Sequence, residues 1–143
     1  MSRRRSGQRG AALVEFAFVA FQLVVVLLSV VEFGRMVLVS TAVANSARTA
    51  VRYAIVHGAT RTGSGIDGPS GPGSVAQIEN NIRYYAGAGL MTTSRLVLAV
   101  SYPDGNNGTG SRVRVTVTYP YDPFTFLPLG VNLSTTAEGI ICF

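Results

Sequence analysis

Residues 11 to 31, AALVEFAFVAFQLVVVLLSVV, form an apolar run interrupted only by Glu15, Gln22 and Ser29. As a helix rising about 1.5 Å per residue, the run covers about 31 Å, close to a hydrocarbon core of roughly 30 Å. Beyond it the pattern changes period. Met36, Val39, Val43, Ala47, Ala50, Val51 and Ala54 recur mostly at steps of three and four, which makes one apolar stripe on a helix. Arg35, Ser40, Thr41, Asn45, Arg48 and Arg52 fall mostly on the other side. Between Glu32 and His57 there is no proline and no glycine except Gly34. One helix over residues 11–57 is predicted, transmembrane over 11–31 and amphipathic afterwards.

Residues 58–74, GATRTGSGIDGPSGPGS, are rich in Gly, Ser and Pro and predict a flexible loop. Ser74 with Gln77 three residues later is a capping-box signal. It introduces a short amphipathic helix with Val75, Ile78, Ile82 and Tyr85 on one face. RLVLAVSY over 95–102 and the strictly alternating RVRVTVTY over 112–119 predict two strands joined as a hairpin through the turn-rich PDGNNGTGS. The prolines of PYDPFTFLPLG exclude regular structure, and VNLSTTAEG offers a third strand. The predicted class is α+β: a long N-terminal helix, then a small extracytoplasmic domain over 75–143 with a short helix and about three antiparallel strands.

Charge changes the picture only at the tip. The net charge is +5, but Arg3, Arg4, Arg5 and Arg9 crowd a short leader, residues 1–10, and the rest carries eight Arg against seven acids. A nucleic-acid surface needs a basic stripe or patch across the fold, so nucleic acid is not an expected partner. The same arginines, just before the apolar run, predict a cytoplasmic N-terminus by the positive-inside rule. All twelve basic residues are Arg, a compositional bias to which no function is attached. Cys142 is the single cysteine and His57 the single histidine, so neither an intrachain disulfide nor a Cys/His metal cluster is expected. No catalytic set or cofactor signature is present, and an enzyme is not expected.

The tip has four readings. A cleavable secretory signal has a shorter apolar core and a small-residue cleavage site directly after it, whereas Ala42-Val43-Ala44 lies well past this run. A twin-arginine signal is hinted at by Ser2-Arg3-Arg4, without the apolar residues that should follow. A plain uncleaved anchor fits the length. The fourth reading accounts for Glu15, a carboxylate in an apolar segment where charge is costly and usually functional. If the chain is cut after Gly10, Ala11 gains an ammonium group and Glu15 becomes the fifth residue, so the two charges can pair.

Arg9-Gly10-Ala11-Ala12-Leu13-Val14-Glu15-Phe16, followed by a long apolar helix, resembles the processing site of type IV-type prepilins. Glu32-Phe33-Gly34-Arg35, Asn45-Ser46-Ala47-Arg48 and Arg52-Tyr53-Ala54 are similar to the TadE-like family of the tight-adherence (Tad) pilus. Val115-Thr116-Val117-Thr118-Tyr119-Pro120-Tyr121 is similar to that family's C-terminal half. The resemblance implies recognition of Gly10 by a prepilin peptidase that cuts before Ala11. It also implies a processing or assembly role for Glu15, with Phe16 beside it. The expected partners are other pilin or pseudopilin subunits, the pilus secretion machinery and inner-membrane lipid. A minor pilin or pseudopilin is expected, because the major pilins of that system are far shorter after cleavage. The alternative is an uncleaved, membrane-tethered binding module with an extracytoplasmic α+β domain.

The remaining motifs are weaker. Gly63-Ser64-Gly65-Ile66-Asp67-Gly68 matches a dinucleotide-binding pattern but has no strand before it, so it is linker glycine. Asp104 and Asn106 lack the spacing and terminal acid of a calcium loop. Tyr84, Tyr85, Phe124 and Phe126 are expected in packing.

Overall fold

A computed structural model describes residues 5–86, 92–123 and 130–143. The first element is α1, Arg5–Val56, a helix of 52 residues and about 78 Å long at the usual rise. It begins six residues before the apolar run, inside the basic leader. Arg and Gln are good helix formers, and Gly7 and Gly10 weaken the helix without breaking it.

The sheet is an antiparallel meander of β1 (Val97–Ser101), β2 (Arg112–Tyr121) and β3 (Val131–Ile140), with β2 in the centre. Val100 and Ala137 flank Val115, and Leu98 and Thr135 flank Val117. Strand alternation sends Val113, Val115, Val117, Tyr119 and Tyr121 to one face, where all are buried. That face lies on the α1 stripe, in which Val39, Val43, Ala47, Ala50, Val51 and Ala54 are buried and Met36 is partly so. The small residues let the sheet come close: a Cβ built on Gly139 of β3 would stand 2.6 Å from side-chain atoms of both Val51 and Ile55.

β2 extends through Pro120 and Tyr121, which the sequence assigns to an irregular segment. Pro120 pairs with Asn132 of β3, while β1 reaches only as far as Thr118. Among the described residues the central strand therefore has a strand neighbour on one side only at Pro120, a position that tolerates the missing N–H. The rest of that proline-rich segment, 124–129 with Phe124 and Phe126, lies outside the described residues.

The second helix, α2 (Ala76–Ala86), lays Ile78 and Ile82 fully buried against the core. The capping box does not form. The Ser74 hydroxyl instead accepts from the Gly71 N–H at 3.0 Å and donates to the Pro69 carbonyl at 3.4 Å. The connector before it holds one turn of 3-10 helix, Gly65–Asp67. It is tied down at Ser70, whose N–H and hydroxyl both donate to the His57 carbonyl, and whose own carbonyl accepts from Asn107 Nδ2.

The outer face of the sheet is polar. Thr116 meets Thr136 at 2.9 Å, Thr118 meets Ser134 at 3.1 Å, and Arg114 pairs with Glu138 at 2.9 Å. The sheet therefore has one apolar side, and α1 covers it.

Candidate functional site

From Ala11 to Val31 nothing among the described residues covers α1. It is the one helix among the described residues long and apolar enough to cross a membrane, and its most apolar stretch is wholly uncovered. Gly10, Ala11, Glu15 and Phe16 are all exposed. Ala11 and Glu15 are four residues apart, one turn, and helical side chains lean toward the N-terminus. The Glu15 carboxylate is thus aimed back at the turn that begins with Ala11. Among the described residues Glu15 has no hydrogen-bond or ion-pair partner. Gly10 has nothing within 4 Å of a built Cβ, so its surroundings do not demand a glycine. Its effect is local, since glycine in a helix interior costs about 1 kcal/mol relative to alanine.

A second polar group sits where the apolar run ends. The Tyr121 hydroxyl donates to Glu32 Oε1 at 2.5 Å and accepts from Arg35 Nε at 2.9 Å. Arg35 Nη2 also donates to Glu32 Oε1 at 3.2 Å and to the backbone carbonyl of Asp122. The guanidinium carbon stands 4.7 Å from the centre of the Tyr121 ring, a cation–π arrangement. Asp122 in turn pairs with Arg95 at 2.5 Å. Burial, and then the bond to Glu32, raise the Tyr121 pKa, so the phenol stays protonated and can donate.

Of the six polar residues read mostly on the side away from the stripe, Ser40, Thr41, Asn45, Arg48 and Arg52 lie exposed, and Arg35, one turn before Val39, is the exception. Arg35 turns to the sheet because Tyr121 and the Asp122 carbonyl supply acceptors there. The acid–base pair at i and i+3, directly after an apolar run, was the signal available in the sequence. Tyr121→Phe is expected to keep the fold but lose about 1.5–3 kcal/mol, the scale of a hydrogen bond to a charged group. Thermal unfolding of the full chain in detergent reads this, and an unchanged transition would mean that the clasp adds no stability.

Residues 10–52 match the TadE-like protein family. The TadE-like segment thus takes in Gly10, Ala11, Glu15, Phe16, the whole apolar run, Glu32, Arg35 and most of the core stripe. It stops before the sheet, so Tyr121 lies outside it. No curated protein and no solved structure matches the chain. A TadE-like segment on one bare apolar helix suits a membrane-anchored component of a Tad pilus.

Several other sequence candidates have structural partners. His57 is buried, stacks on Tyr53 at 3.9 Å between ring centroids, and its Nδ1 lies 2.8 Å from the Tyr53 carbonyl. Asp104 closes its turn by accepting from Arg112 Nη2 and from the Arg112 N–H, both at 2.8 Å. Asn106 Oδ1 accepts from the Gly108 N–H and the Ser111 hydroxyl. Cys142 is exposed and unbridged. Among the described residues no three His, Cys, Asp or Glu side chains gather as metal ligands. The side chains of Tyr84 and Tyr85 lie outside the described residues.

Proposed function

We propose that the chain is a minor pilin or pseudopilin of a Tad pilus, processed after Gly10. It sits in the inner membrane with a cytoplasmic N-terminus and an extracytoplasmic sheet, and its work is packing rather than catalysis. The observation that carries this reading is the bare apolar helix with one carboxylate, Glu15, a turn past Ala11. Such a helix needs company: lipid while the subunit is stored, and the helices of other pilin subunits once it joins the machine. A prepilin peptidase cutting before Ala11 leaves an ammonium group that Glu15 neutralises, within the chain or between neighbours. That pair fixes the register of one helix on the next.

A second reading is the uncleaved tethered module, favoured by the continuity of α1 from Arg5 through Gly10, since a peptidase must first unwind that turn. N-terminal and intact-mass analysis of protein from native membranes separates the two. The expected mature chain begins at Ala11. A chain that keeps Met1 or Ser2 while the peptidase is present would move the assignment to the tethered module.

A further inference from the structure

The bare face of α1 does not end with the apolar run. Phe33, Val37 and Leu38 are 68%, 48% and 58% exposed. Only beyond Leu38 does the uncovered side turn polar, with Thr41, Asn45, Arg48, Thr49 and Arg52. From Ala11 to Leu38 the helix covers about 42 Å, well over the hydrocarbon thickness but equal to a bilayer with both headgroup layers, about 40–45 Å. With Ala11 at one boundary, Leu38 reaches the other.

On the opposite side of those same turns sits the end of the sheet. The Tyr121 hydroxyl touches Glu32 and Arg35, and Val131, 37% exposed, is the register partner of Tyr121. This rim is therefore level with Glu32 and Arg35, below Leu38. Its charges are already matched internally: Glu32 with Arg35, and Asp122 with Arg95. Tyr and Arg are residues that suit the bilayer boundary, with an apolar body and a polar tip. The far end of the sheet differs, with Asp104, Asn106, Asn107 and Arg112 around its turn.

We infer that the sheet rim at Tyr121, Asp122 and Val131, together with Phe33, Val37 and Leu38, is embedded in the lipid headgroup layer. The domain does not stand clear of the membrane on a stalk; its lower edge is part of the anchor. This inference rests on the membrane-anchor reading.

The full chain is tested in vesicles of phosphatidylethanolamine and phosphatidylglycerol, in a Cys142→Ser background. Single cysteines replace Leu23, Leu38, Val131 or Thr109 and carry an environment-sensitive fluorophore. Lipids bear quenchers either at the headgroup or at mid-chain. Leu23→Cys is expected to be quenched from mid-chain. Leu38→Cys and Val131→Cys should be quenched from the headgroup several times more strongly than Thr109→Cys at the far end. If Leu23→Cys is quenched while Leu38→Cys and Val131→Cys behave like Thr109→Cys, the rim stands in water and the inference is overturned alone. If Leu23→Cys is itself unquenched, the anchor reading fails and the inference with it. Should Val131→Cys misfold, Leu38→Cys decides.

Discussion

Glu15→Ala is expected to leave the sheet and α2 folded, to leave the protein in the membrane, and to abolish or sharply reduce piliation in the native host. The fold is insulated because Glu15 touches nothing among the described residues and lies some 36 Å along the helix from the first fully buried stripe residue, Val39. Insertion is insulated as well. Removing a carboxylate from an apolar segment makes residence in lipid easier, by up to the roughly 2.5–3.5 kcal/mol assigned to a mid-bilayer charge and less for a group so near the end of the run. A loss of pili with normal membrane levels therefore cannot be ascribed to instability or failed insertion. What remains is processing after Gly10, which the intact mass of the variant checks, or, in a chain that is still cut, the proposed pairing of the carboxylate with the Ala11 ammonium. Immunoblots of membranes beside electron-microscopic counts of pili make the measurement. Normal piliation by the variant would end the register mechanism.

Gly58→Ala is expected to destabilise the domain by about 2–3 kcal/mol, at the upper part of the range for overpacking a filled site. A Cβ there would stand 1.7 Å from the Phe143 carbonyl oxygen, 2.4 Å from Ile141 Cγ2 and 3.0 Å from the Asn107 carbonyl oxygen. Two of the three are backbone atoms, which cannot swing aside as a side-chain tip can. Gly58 follows the end of α1 at the point where the C-terminal segment crosses it. Cys142 N–H donates to the Ile55 carbonyl at 3.2 Å, and Ala59 N–H to Asn107 at 2.9 Å. Relieving the clash strains both bonds. Gly73→Ala is the control, since nothing lies within 4 Å of its built Cβ. Denaturant titrations of the full chain in detergent should separate the two variants clearly. Indistinguishable midpoints for Gly58→Ala and wild type would show that the C-terminal segment does not hold this position.

Most of the fold is legible because its pattern is local and periodic. The alternation of Val113, Val115 and Val117 and the stripe from Val39 to Ala54 each name their own buried face. What was not legible depends on neighbours distant in sequence. Pro120 reads as a strand breaker until β1 is seen to stop opposite Thr118. Ser74 reads as a helix cap, but Gly71 and Pro69 offer its hydroxyl competing partners. Arg35 stands one turn before Val39 at the edge of the stripe, and only Tyr121, 86 residues away, shows what it bonds there. At the candidate site, Gly10, Ala11, Glu15 and Phe16 stood out by charge placement and by resemblance alone. The fold adds to them that they are bare.

The clasp also has a mechanical meaning. α1 passes from anchor to sheet without a joint, so a pull applied to the sheet travels down a single rod to Glu15. The rod's weakest point past Gly10 is Gly34, the only glycine between there and Gly58. Glu32 and Arg35 bracket that glycine, and Tyr121 bolts both of them to the last residue of β2. The sheet thus acts as a splint across the one place where the rod would bend, and axial load reaches the anchor as translation instead of flexing.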